Sequence, residues 1–297
     1  MKPDNKIPCR AYFTLLFGAV CVSFAAVFVK MLPTESIGPT AIGFWRTLFG
    51  AVILFGLAFL KKNSRQLPRP LYGWSLLAGF LFYLDLFFWH RSIIYAGAGM
   101  ATILANTQVF ATAVLSFFIF KEKLTVRFFI AAISAIVGVA LLAGIISEIE
   151  YTVHYLQGVL FGLVTGVVYA NYLVTLKMTQ VKFAGIQVLT FMGWTSMFTA
   201  VFMGLSSWIE RTPTLPPDMY SLGILLILGL VAQALGWWSI FSSFSQIPAS
   251  RAGLILLLQP TLATIWGILF FAEQYTPWQF LGAVVTLAAI YFGTARK

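Results

Sequence analysis

Apolar residues fall along this chain in long blocks rather than alternating with polar ones. Most blocks approach the roughly 20 residues that a helix needs to cross a hydrocarbon core of about 30 Å. We predict ten membrane-spanning helices, at 11–31, 38–60, 71–94, 98–120, 126–146, 155–176, 184–208, 221–245, 249–271 and 276–294. The connections are short and hold most of the charges, so the pattern predicts one all-α membrane unit without a separate soluble domain.

Composition excludes a soluble protein and a nucleic-acid-binding one. Only 9% of the 297 residues are charged and 60% are hydrophobic, whereas soluble proteins carry about 25% charged residues. The net charge of +10 does not indicate nucleic-acid binding, because the basic residues lie in short loops between apolar blocks rather than on one face of a domain.

The distribution of basic residues predicts an orientation. If the N-terminus is cytoplasmic, fifteen of the 19 Lys and Arg residues fall in inside segments and three at outside ends. Cytoplasmic loops of membrane proteins carry such an excess, so both termini are predicted to be cytoplasmic in a bacterial inner membrane. Lys30 and Lys177, taken as the ends of the first and sixth spans, are expected to reach the membrane surface.

The second half of the chain echoes the first. A shift of 151 residues pairs Gln108 with Gln259 and Glu122 with Glu273. Each half holds five spans, an odd number, so the two copies must face opposite ways in the membrane. Inverted repeats of this kind place the substrate site of a transporter near the midplane, between the repeats. The predicted units are a first repeat, residues 1–146, and a second repeat, residues 147–297.

Several short motifs resemble the drug/metabolite transporter superfamily, specifically its EamA-type members with two five-helix repeats. These motifs are Trp45-Arg46, Trp89-His90-Arg91-Ser92, Gln259-Pro260 and the two Glu-x-x-Thr junctions at 122–125 and 273–276. The resemblance covers nearly the whole chain. The sequence departs from the family pattern at Val109, where a proline would stand, and in the first span, which lacks a tryptophan often found there.

The resemblance implies a secondary carrier with a central cavity between the repeats. Such carriers commonly export amino acids, metabolites or drugs, so we expect export of a small organic solute by alternating access. Import of a nutrient or cofactor precursor is the alternative, and a lipid flippase or assembly subunit is a further one. The expected partners are a small-molecule substrate and membrane lipid but no nucleic acid, and a homodimer is left open. No cofactor is expected.

Two charged residues lie deep within predicted spans. Arg46 is about 12 Å and Asp85 about 15 Å below the outer ends of their helices at 1.5 Å per residue. Charges at such depth usually face a bundle interior or an aqueous cavity. Similar depth and opposite sign favour an ion pair, which would either lock two helices together or form a gate or proton-sensitive site. Failure of the two residues to meet is the remaining alternative.

Two amides are placed symmetrically near mid-span. Gln108 and Gln259 could hydrogen-bond a neutral or zwitterionic solute, or they could only join helices. Asn106 is two residues from Gln108, so helical geometry turns it about 200° away. Because Gln108 has a partner in the second repeat, we predict that Gln108 rather than Asn106 faces the solute.

Aromatic residues beside these polar positions complete the predicted binding site, although each could instead be ordinary core. They are Trp45, Trp89, Tyr169, Trp194 and Trp238.

The sequence contains no motif for catalysis or ATP use. It has no Gly-x-x-x-x-Gly-Lys phosphate loop and no hydrolase or zinc-protease signature. Its two histidines, His90 and His154, lie too far apart to predict a metal site. We therefore expect neither an enzyme nor a metalloprotein.

Overall fold

The computed structural model describes residues 8–33, 36–61, 66–96, 98–142, 153–183, 185–211, 213–272 and 276–294, which form helices joined by turns with no strand among them. Eight helices are long and apolar enough to cross a membrane, and two shorter apolar ones, α5 and α10, accompany them. The helices are α1 Cys9–Lys30, α2 Pro39–Leu60, α3 Arg69–Ala96, α4 Ala98–Asn106 with Gln108–Phe120, α5 Val126–Leu142, α6 Val153–Lys182, α7 Val188–Glu210, α8 Met219–Ser243, α9 Ala249–Leu256 with Leu258–Phe271, and α10 Pro277–Thr294.

Each predicted span coincides with one of these helices, so the predicted all-α membrane architecture is confirmed. The largest discrepancy is in α6, which runs on to Lys182 although the pattern predicted an end at residue 176. Lys177 was expected to reach the membrane surface, but it is only 8% exposed. Its ammonium group donates to the backbone carbonyls of Phe244 and Ile247, so a buried partner replaces water. The predicted end of the fifth span, residue 146, lies outside the described residues.

The main interfaces join one helix of the first half to one of the second. Helix α2 packs against α7 and α8, and α3 packs against α6 and α7. Helix α4 packs against α6 and α9, α1 against α8 and α9, and α5 against α10. Each helix of the first half has a counterpart five helices further along the chain, so that α1 corresponds to α6 and α5 to α10. When every helix is replaced by its counterpart, the same set of pairs results. The packing therefore follows the two-fold relation that the sequence repeat suggested.

Two of these interfaces depend on glycine. A Cβ atom at Gly138 of α5 would lie 2.4 Å from the hydroxyl of Thr286 and 2.8 Å from the carbonyl of Gly282 in α10. A Cβ atom at Gly162 of α6 would lie 2.7 Å from the side chain of Leu104. Small residues permit this close approach between helix backbones in lipid.

The two halves also share backbone irregularities. Lys121, after α4, and Ala272, after α9, are non-glycine residues with φ of 53° and 51°, and they stand 151 positions apart. Helices α4 and α9 are each interrupted by one residue, Thr107 and Leu257, with ψ of −13° and −10°. The same kind of interruption occurs in α1 at Phe24, with ψ of −13°.

Different sequence features produce the two matching interruptions. In α9, Pro260 lacks the N–H group that would bond to the carbonyl of Leu256, and its ring crowds that carbonyl. In α4 there is no proline, but the Thr107 hydroxyl donates to the carbonyl of Leu104 at 2.6 Å and competes with the helical bonding. Helix α8 is irregular in another way, because residues Gly229–Gly236 form a π-helix.

We call the side on which α1 begins the N-terminal side. On it, Glu122, between α4 and α5, accepts hydrogen bonds from the backbone of Ala249 and Ser250 at the start of α9, at 2.8 and 3.2 Å. Together with Lys177, which bonds the end of α8, it holds the turn between α8 and α9 from two sides. Acceptance by a carboxylate satisfies the otherwise unpaired N–H groups of the helix start.

Other polar contacts close the opposite side. Arg91, near the end of α3, forms an ion pair with Glu210 at the end of α7. Glu210 also accepts from the Thr40 hydroxyl at 2.9 Å, and the indole of Trp45 donates to the Thr214 carbonyl at 2.6 Å. Asp218 directly precedes α8. Its carboxylate accepts a hydrogen bond from the Ser221 amide, and this bond lowers the pKa of the Asp218 carboxyl.

Candidate functional site

A cavity of about 200 Å³ lies between the two halves of the bundle. Its walls come from α1, α2, α3 and α4 of the first half and from α6, α8 and α9 of the second. Most of the lining side chains are apolar or aromatic, with a few polar and charged groups among them. The lining residues are Val22, Ser23, Ala25, Ala26, Arg46, Phe82, Asp85, Leu86, Trp89, Thr102, Ala105, Asn106, Thr165, Tyr169, Trp237, Gln259, Pro260 and Ala263.

Four helices, α1, α4, α8 and α9, have an irregularity beside this cavity. Ser23 precedes the interruption of α1, Asn106 precedes that of α4, and Gln259 follows that of α9 by two residues. Trp237 directly follows the π-helix of α8. Discontinuous helices are the usual way in which transporters bring polar groups to a site inside the membrane.

Arg46 of α2 and Asp85 of α3 both line the cavity, and both are buried, with 8% and 9% of their surfaces exposed. Their charges interact, but no Arg46 nitrogen lies within 4.0 Å of an Asp85 oxygen. The direct ion pair expected from their similar depth is therefore absent. The guanidinium carbon of Arg46 instead lies 5.8 Å from the centre of the Phe82 ring.

Aromatic rings form much of the wall near these charges. Phe82 packs against Trp237 with ring centres 5.1 Å apart, and Tyr169 lies 6.1 Å from the same indole. Tyr172 stacks on Phe82 at 4.9 Å behind the wall. Trp89 lines the cavity one helical turn from Asp85. The two charges thus share one cavity whose wall near them is partly aromatic.

The two predicted amides occupy different environments. Gln259 lines the cavity beside Tyr169, and its Nε2 atom is buried without a hydrogen-bond partner. Gln108 is fully buried outside the cavity lining. Its Nε2 donates to the Gly253 carbonyl of α9 at 3.0 Å, and its Oε1 accepts from Thr112 at 2.9 Å. The prediction that Gln108 rather than Asn106 faces the cavity is corrected by this placement.

Three of the predicted aromatic residues lie away from the cavity. Trp45 lies toward the side of the bundle opposite the N-terminal side, where its indole donates to the Thr214 carbonyl. Trp194 packs among rings of α2, α3 and α7, including Phe55 at 5.4 Å. The ammonium nitrogen of Lys61 lies over the ring of Trp238, 5.3 Å from its centre. Of the predicted site residues, the cavity brings together Arg46, Asp85, Trp89, Tyr169 and Gln259.

Two lining residues, Asn106 and Trp237, were not assigned to the site from the sequence. Trp237 lines the cavity, whereas its neighbour Trp238 does not. Trp237 directly follows a π-helix, which no residue pattern predicted. Asn106 lines the cavity while its Nδ2 atom donates to the Thr102 carbonyl at 2.7 Å. A usable signal for Asn106 was its position beside Thr107, since a threonine hydroxyl competes with helical bonding.

Comparison with known proteins agrees with this architecture. The sequence model described as "EamA-like transporter family" matches twice, over residues 10–144 and 156–294. The chain is 27% identical to the uncharacterized transporter YwfM of Bacillus subtilis strain 168, covering 91% of this chain and 89% of that protein. It is 24% identical to an uncharacterized transporter of Archaeoglobus fulgidus, covering 96% of this chain and 97% of the relative.

A solved structure, titled only as the crystal structure of a protein, superposes with a TM-score of 0.82 at 16% identity and covers 96% of both chains. This likeness shows that the fold is shared. The apolar helices and the transporter relatives agree with the multi-pass location in a bacterial inner membrane that the sequence predicted. With both halves matched by one family model, the chain belongs to the EamA-like transporter family.

Proposed function

We propose that the protein is a secondary transporter that carries a small organic solute across the membrane by alternating access, in the export direction. The observation that carries this proposal is the cavity between the halves, lined by two buried charges and an unpartnered amide nitrogen. Buried ionisable groups inside a membrane usually mark a substrate or ion pathway. Export is the direction that the resemblance to metabolite and drug exporters favours.

The size and shape of the site favour transport of a small solute over the other candidates. A volume of about 200 Å³ lies below the roughly 300–1,000 Å³ of drug-sized pockets, and a lipid with its acyl chains would not fit inside it. A flippase or an assembly subunit therefore has less support than a solute carrier. No catalytic role is proposed for the lining residues.

The four irregular helices supply the moving parts of the proposed cycle. Helices α1, α4, α8 and α9 all surround the cavity and all change direction or pitch beside it. Irregular turns have weaker internal hydrogen bonding than a continuous helix, so they are suitable hinges. On this view the segment from Trp237 to Leu256, which includes the turn between α8 and α9, moves as one hairpin.

Two polar contacts, one buried and one part-buried, would keep that hairpin closed toward the N-terminal side. Lys177 bonds the end of α8 and Glu122 bonds the start of α9. Release of the solute on this side requires that these contacts break. On the other side, the Arg91–Glu210 pair has the corresponding position.

A cysteine placed at Asn106 would report which side of the cavity is open. In a variant with Cys9 and Cys21 replaced by serine, Glu122→Gln should raise labelling of this cysteine from the N-terminal side several-fold. Glu210→Gln is the matched control, since it should raise labelling from the opposite side only. If neither change alters the side of access, the two carboxylates do not control opening.

Transport itself is tested in liposomes containing the purified protein. The expected result is ATP-independent counterflow of a small metabolite, blocked by Ala263→Trp, which fills the cavity. Ala288→Trp, on the exposed face of α10, adds the same side chain outside the cavity and should leave counterflow intact. Lipid movement measured in the same liposomes distinguishes a flippase. Equal activity of the two tryptophan variants would place the pathway elsewhere.

The proposed orientation puts the N-terminal side in the cytoplasm. Cys9 at the start of α1 is exposed, whereas Cys21 is buried, so an impermeant maleimide can distinguish the two sides without any mutation. Cys9 should react in inside-out vesicles and not in intact cells. Labelling in intact cells would reverse the orientation and make the positive-inside count misleading.

A further inference from the structure

We infer that the π-helix of α8 is a register switch, in which Gln233 is the positioning residue that holds Trp237 in the cavity wall. The register is the hydrogen-bonding pattern of Gly229–Gly236, and it sets the direction of every later side chain of α8. The inference rests on the proposed function, since it assigns the movement of the hairpin from Trp237 to Leu256 to this one segment.

The geometry of a π-helix makes such a switch possible. Its hydrogen bonds join residues five apart instead of four, so the segment accommodates about one residue more than an α-helix of the same rotation. A return to α-helical bonding would turn every later residue of α8 forward by about 100°, the angle of one residue. Gly236 would then take the direction in which Trp237 now points, and Trp237 would take that of Trp238. The cavity wall would exchange an indole for a glycine.

Gln233 fixes the present register from within the π-helix. It is fully buried, and its Nε2 atom donates to the Ser196 hydroxyl of α7 at 3.0 Å. The same side chain packs against Gly50 of α2, where a Cβ atom would lie only 2.3 Å from the Gln233 Cγ atom. The backbone at Gly229 is equally close to α2, since a Cβ atom there would lie 2.6 Å from that of Phe49. Two neighbouring helices therefore hold the π-helix at its start and at its middle.

The present register leaves polar atoms unsatisfied. Oε1 of Gln233 and the indole nitrogen of Trp237 are both buried without a hydrogen-bond partner, and such atoms are costly inside a protein. After the rotation, Trp237 would occupy the place of Trp238, which is half-buried and has the exposed Lys61 beside it. The indole nitrogen would be closer to water there, so the second register offsets part of the cost of losing the first.

Gly236 is the residue on which the exchange depends. A Cβ atom at Gly236 would lie 2.7 Å from Cγ2 of Val22 in α1, so the present register disfavours any larger residue at this position. After the rotation a methyl group at residue 236 would instead point into the cavity. Leu235 would take the place of Gly236 beside α1, and α1 would yield two residues before its interruption at Phe24.

The rotation also connects the cavity wall with the contacts of Lys177 on the N-terminal side. Lys177 donates to the carbonyls of Phe244 and Ile247, which follow the π-helix along the chain. When the later part of α8 turns, these carbonyls move away from the ammonium group. The switch would therefore release the N-terminal side as the indole of Trp237 leaves the cavity wall.

Fluorine NMR of the purified full-length protein, labelled with fluorotryptophan, tests this inference without any solute. Trp237→Phe assigns the resonance of Trp237. Ser196→Ala removes the hydroxyl that receives the Gln233 bond, and Gly236→Ala crowds the present register. Each variant should give Trp237 a second resonance, and loss of one hydrogen bond should raise the population of that state about fivefold. The resonances of Trp208 and Trp278, which are exposed on α7 and α10, should not change.

Matched controls separate a change of register from a general loss of packing. Ser206→Ala also removes a hydroxyl of α7 that bonds to another helix, here to Tyr83 at 2.8 Å, but outside the contact with the π-helix. Gly223→Ala adds a methyl group to α8 where a Cβ atom would meet nothing within 4 Å. Neither control should give Trp237 a second resonance.

Deletion of Val231 removes one residue from the π-helix and tests the register directly. The shortened segment can form an α-helix while Trp237 keeps its present direction. Trp237 should then give one resonance, and Ser196→Ala made in this variant should no longer add a second one. A structural role of Ser196 alone would add the second resonance in both backgrounds.

A single unchanged Trp237 resonance in both Ser196→Ala and Gly236→Ala overturns the inference, and so do equal changes in the two controls. These four substitutions decide the question even if the deletion variant does not fold. The proposed function is tested separately, since ATP-independent counterflow that Ala263→Trp blocks would stand without a register switch. Absence of any counterflow would remove the proposed function and leave the Trp237 resonances as they are.

Discussion

Gln108 and Gln259 occupy equivalent positions in the two repeats, yet one joins two helices and the other faces the cavity. Gln108 is fully buried, with both ends of its amide hydrogen-bonded. Gln259 is half-buried and lines the cavity with an unpartnered Nε2 atom. The same side chain at equivalent positions of two equivalent helices, α4 and α9, has therefore acquired two different environments.

The neighbours of the two amides explain the difference. Gln108 donates to the backbone at Gly253, where the absence of a side chain lets the amide reach the carbonyl. The equivalent position in the first repeat, 151 residues earlier, is Thr102, whose carbonyl is already bonded to Asn106. Gln108 also accepts from Thr112, whereas the equivalent position beside Gln259 is Ala263.

Pseudo-symmetry thus identifies equivalent positions without identifying equivalent roles. Both partners of Gln108 are missing around Gln259, so its amide lines the cavity with an unpartnered Nε2 atom. An inverted-repeat transporter needs a site that is reached alternately from two sides, but the residues that bind need not themselves be symmetric. The following predictions test this difference by changing one of the two amides or a residue beside it.

The largest effect is expected from Gly253→Val, which gives α9 a side chain shaped like that of Thr102. A Cβ atom there would lie 3.2 Å from the Gln108 oxygen and 3.5 Å from Thr112. Overpacking and loss of the Gln108 bond should lower the free energy of unfolding by about 2–3 kcal/mol. The measurement is an SDS unfolding titration.

Gly223→Val is the matched control for this change. Gly223 also lies in a helix, α8, but a Cβ atom there would meet nothing within 4 Å. It should change stability by less than about 1 kcal/mol, the scale of glycine helix propensity. Equal losses in the two variants would show that the α4–α9 contact does not depend on Gly253.

Gln108→Leu should destabilise the protein while sparing solute affinity. The change preserves volume approximately but leaves the Gly253 carbonyl and the Thr112 hydroxyl without this partner. Interhelical hydrogen bonds in membranes contribute about 0.6–1.7 kcal/mol, so a loss of about 1 kcal/mol in the same titration is expected. A weakened solute affinity at normal stability would contradict the role assigned here.

The features that the sequence predicted correctly follow from the cost of polar groups in lipid. Ten apolar blocks gave the ten helices because each spanning segment must satisfy its own backbone hydrogen bonds. Arg46 and Asp85 were identified because an ionisable residue within an apolar block has few environments open to it. These constraints act on single segments, so one sequence was enough to reveal them.

The features that the sequence missed depend on the direction in which a side chain points. The π-helix Gly229–Gly236 widens the turn and rotates every later residue relative to a regular helix, so Trp237 faces the cavity and Trp238 does not. The interruption at Thr107 likewise separates Asn106 from Gln108. Irregular turns of this kind arise from tertiary packing and local competition for hydrogen bonds, which hydrophobic periodicity does not record.

Gln259→Leu should have the opposite pattern of effects to Gln108→Leu, namely a weaker solute affinity with little loss of stability. Removal of the amide takes one hydrogen-bonding group, with its unpartnered Nε2 atom, from the cavity lining. Solute affinity in liposome counterflow should fall about fivefold, as expected for one hydrogen bond of about 1 kcal/mol. The free energy of unfolding should change less than in Gln108→Leu, and the reverse order in either measurement would refute the comparison.

The smallest effect is expected from Ala263→Thr, which gives Gln259 the hydroxyl that Thr112 gives to Gln108. In α4 the threonine four residues after the glutamine donates to its Oε1 atom, and the same spacing in α9 would let a hydroxyl at residue 263 reach the Gln259 amide. The amide would then be held against its own helix, and solute affinity should fall about twofold, a few tenths of a kcal/mol. Ala288→Thr on the exposed face of α10 adds the same hydroxyl away from the cavity and should leave affinity unchanged. Infrared spectra of the Gln259 side-chain carbonyl, isolated by isotope labelling, would report the new bond directly. If affinity falls in Ala263→Thr without a shift of that carbonyl band, the added volume rather than the captured amide is responsible.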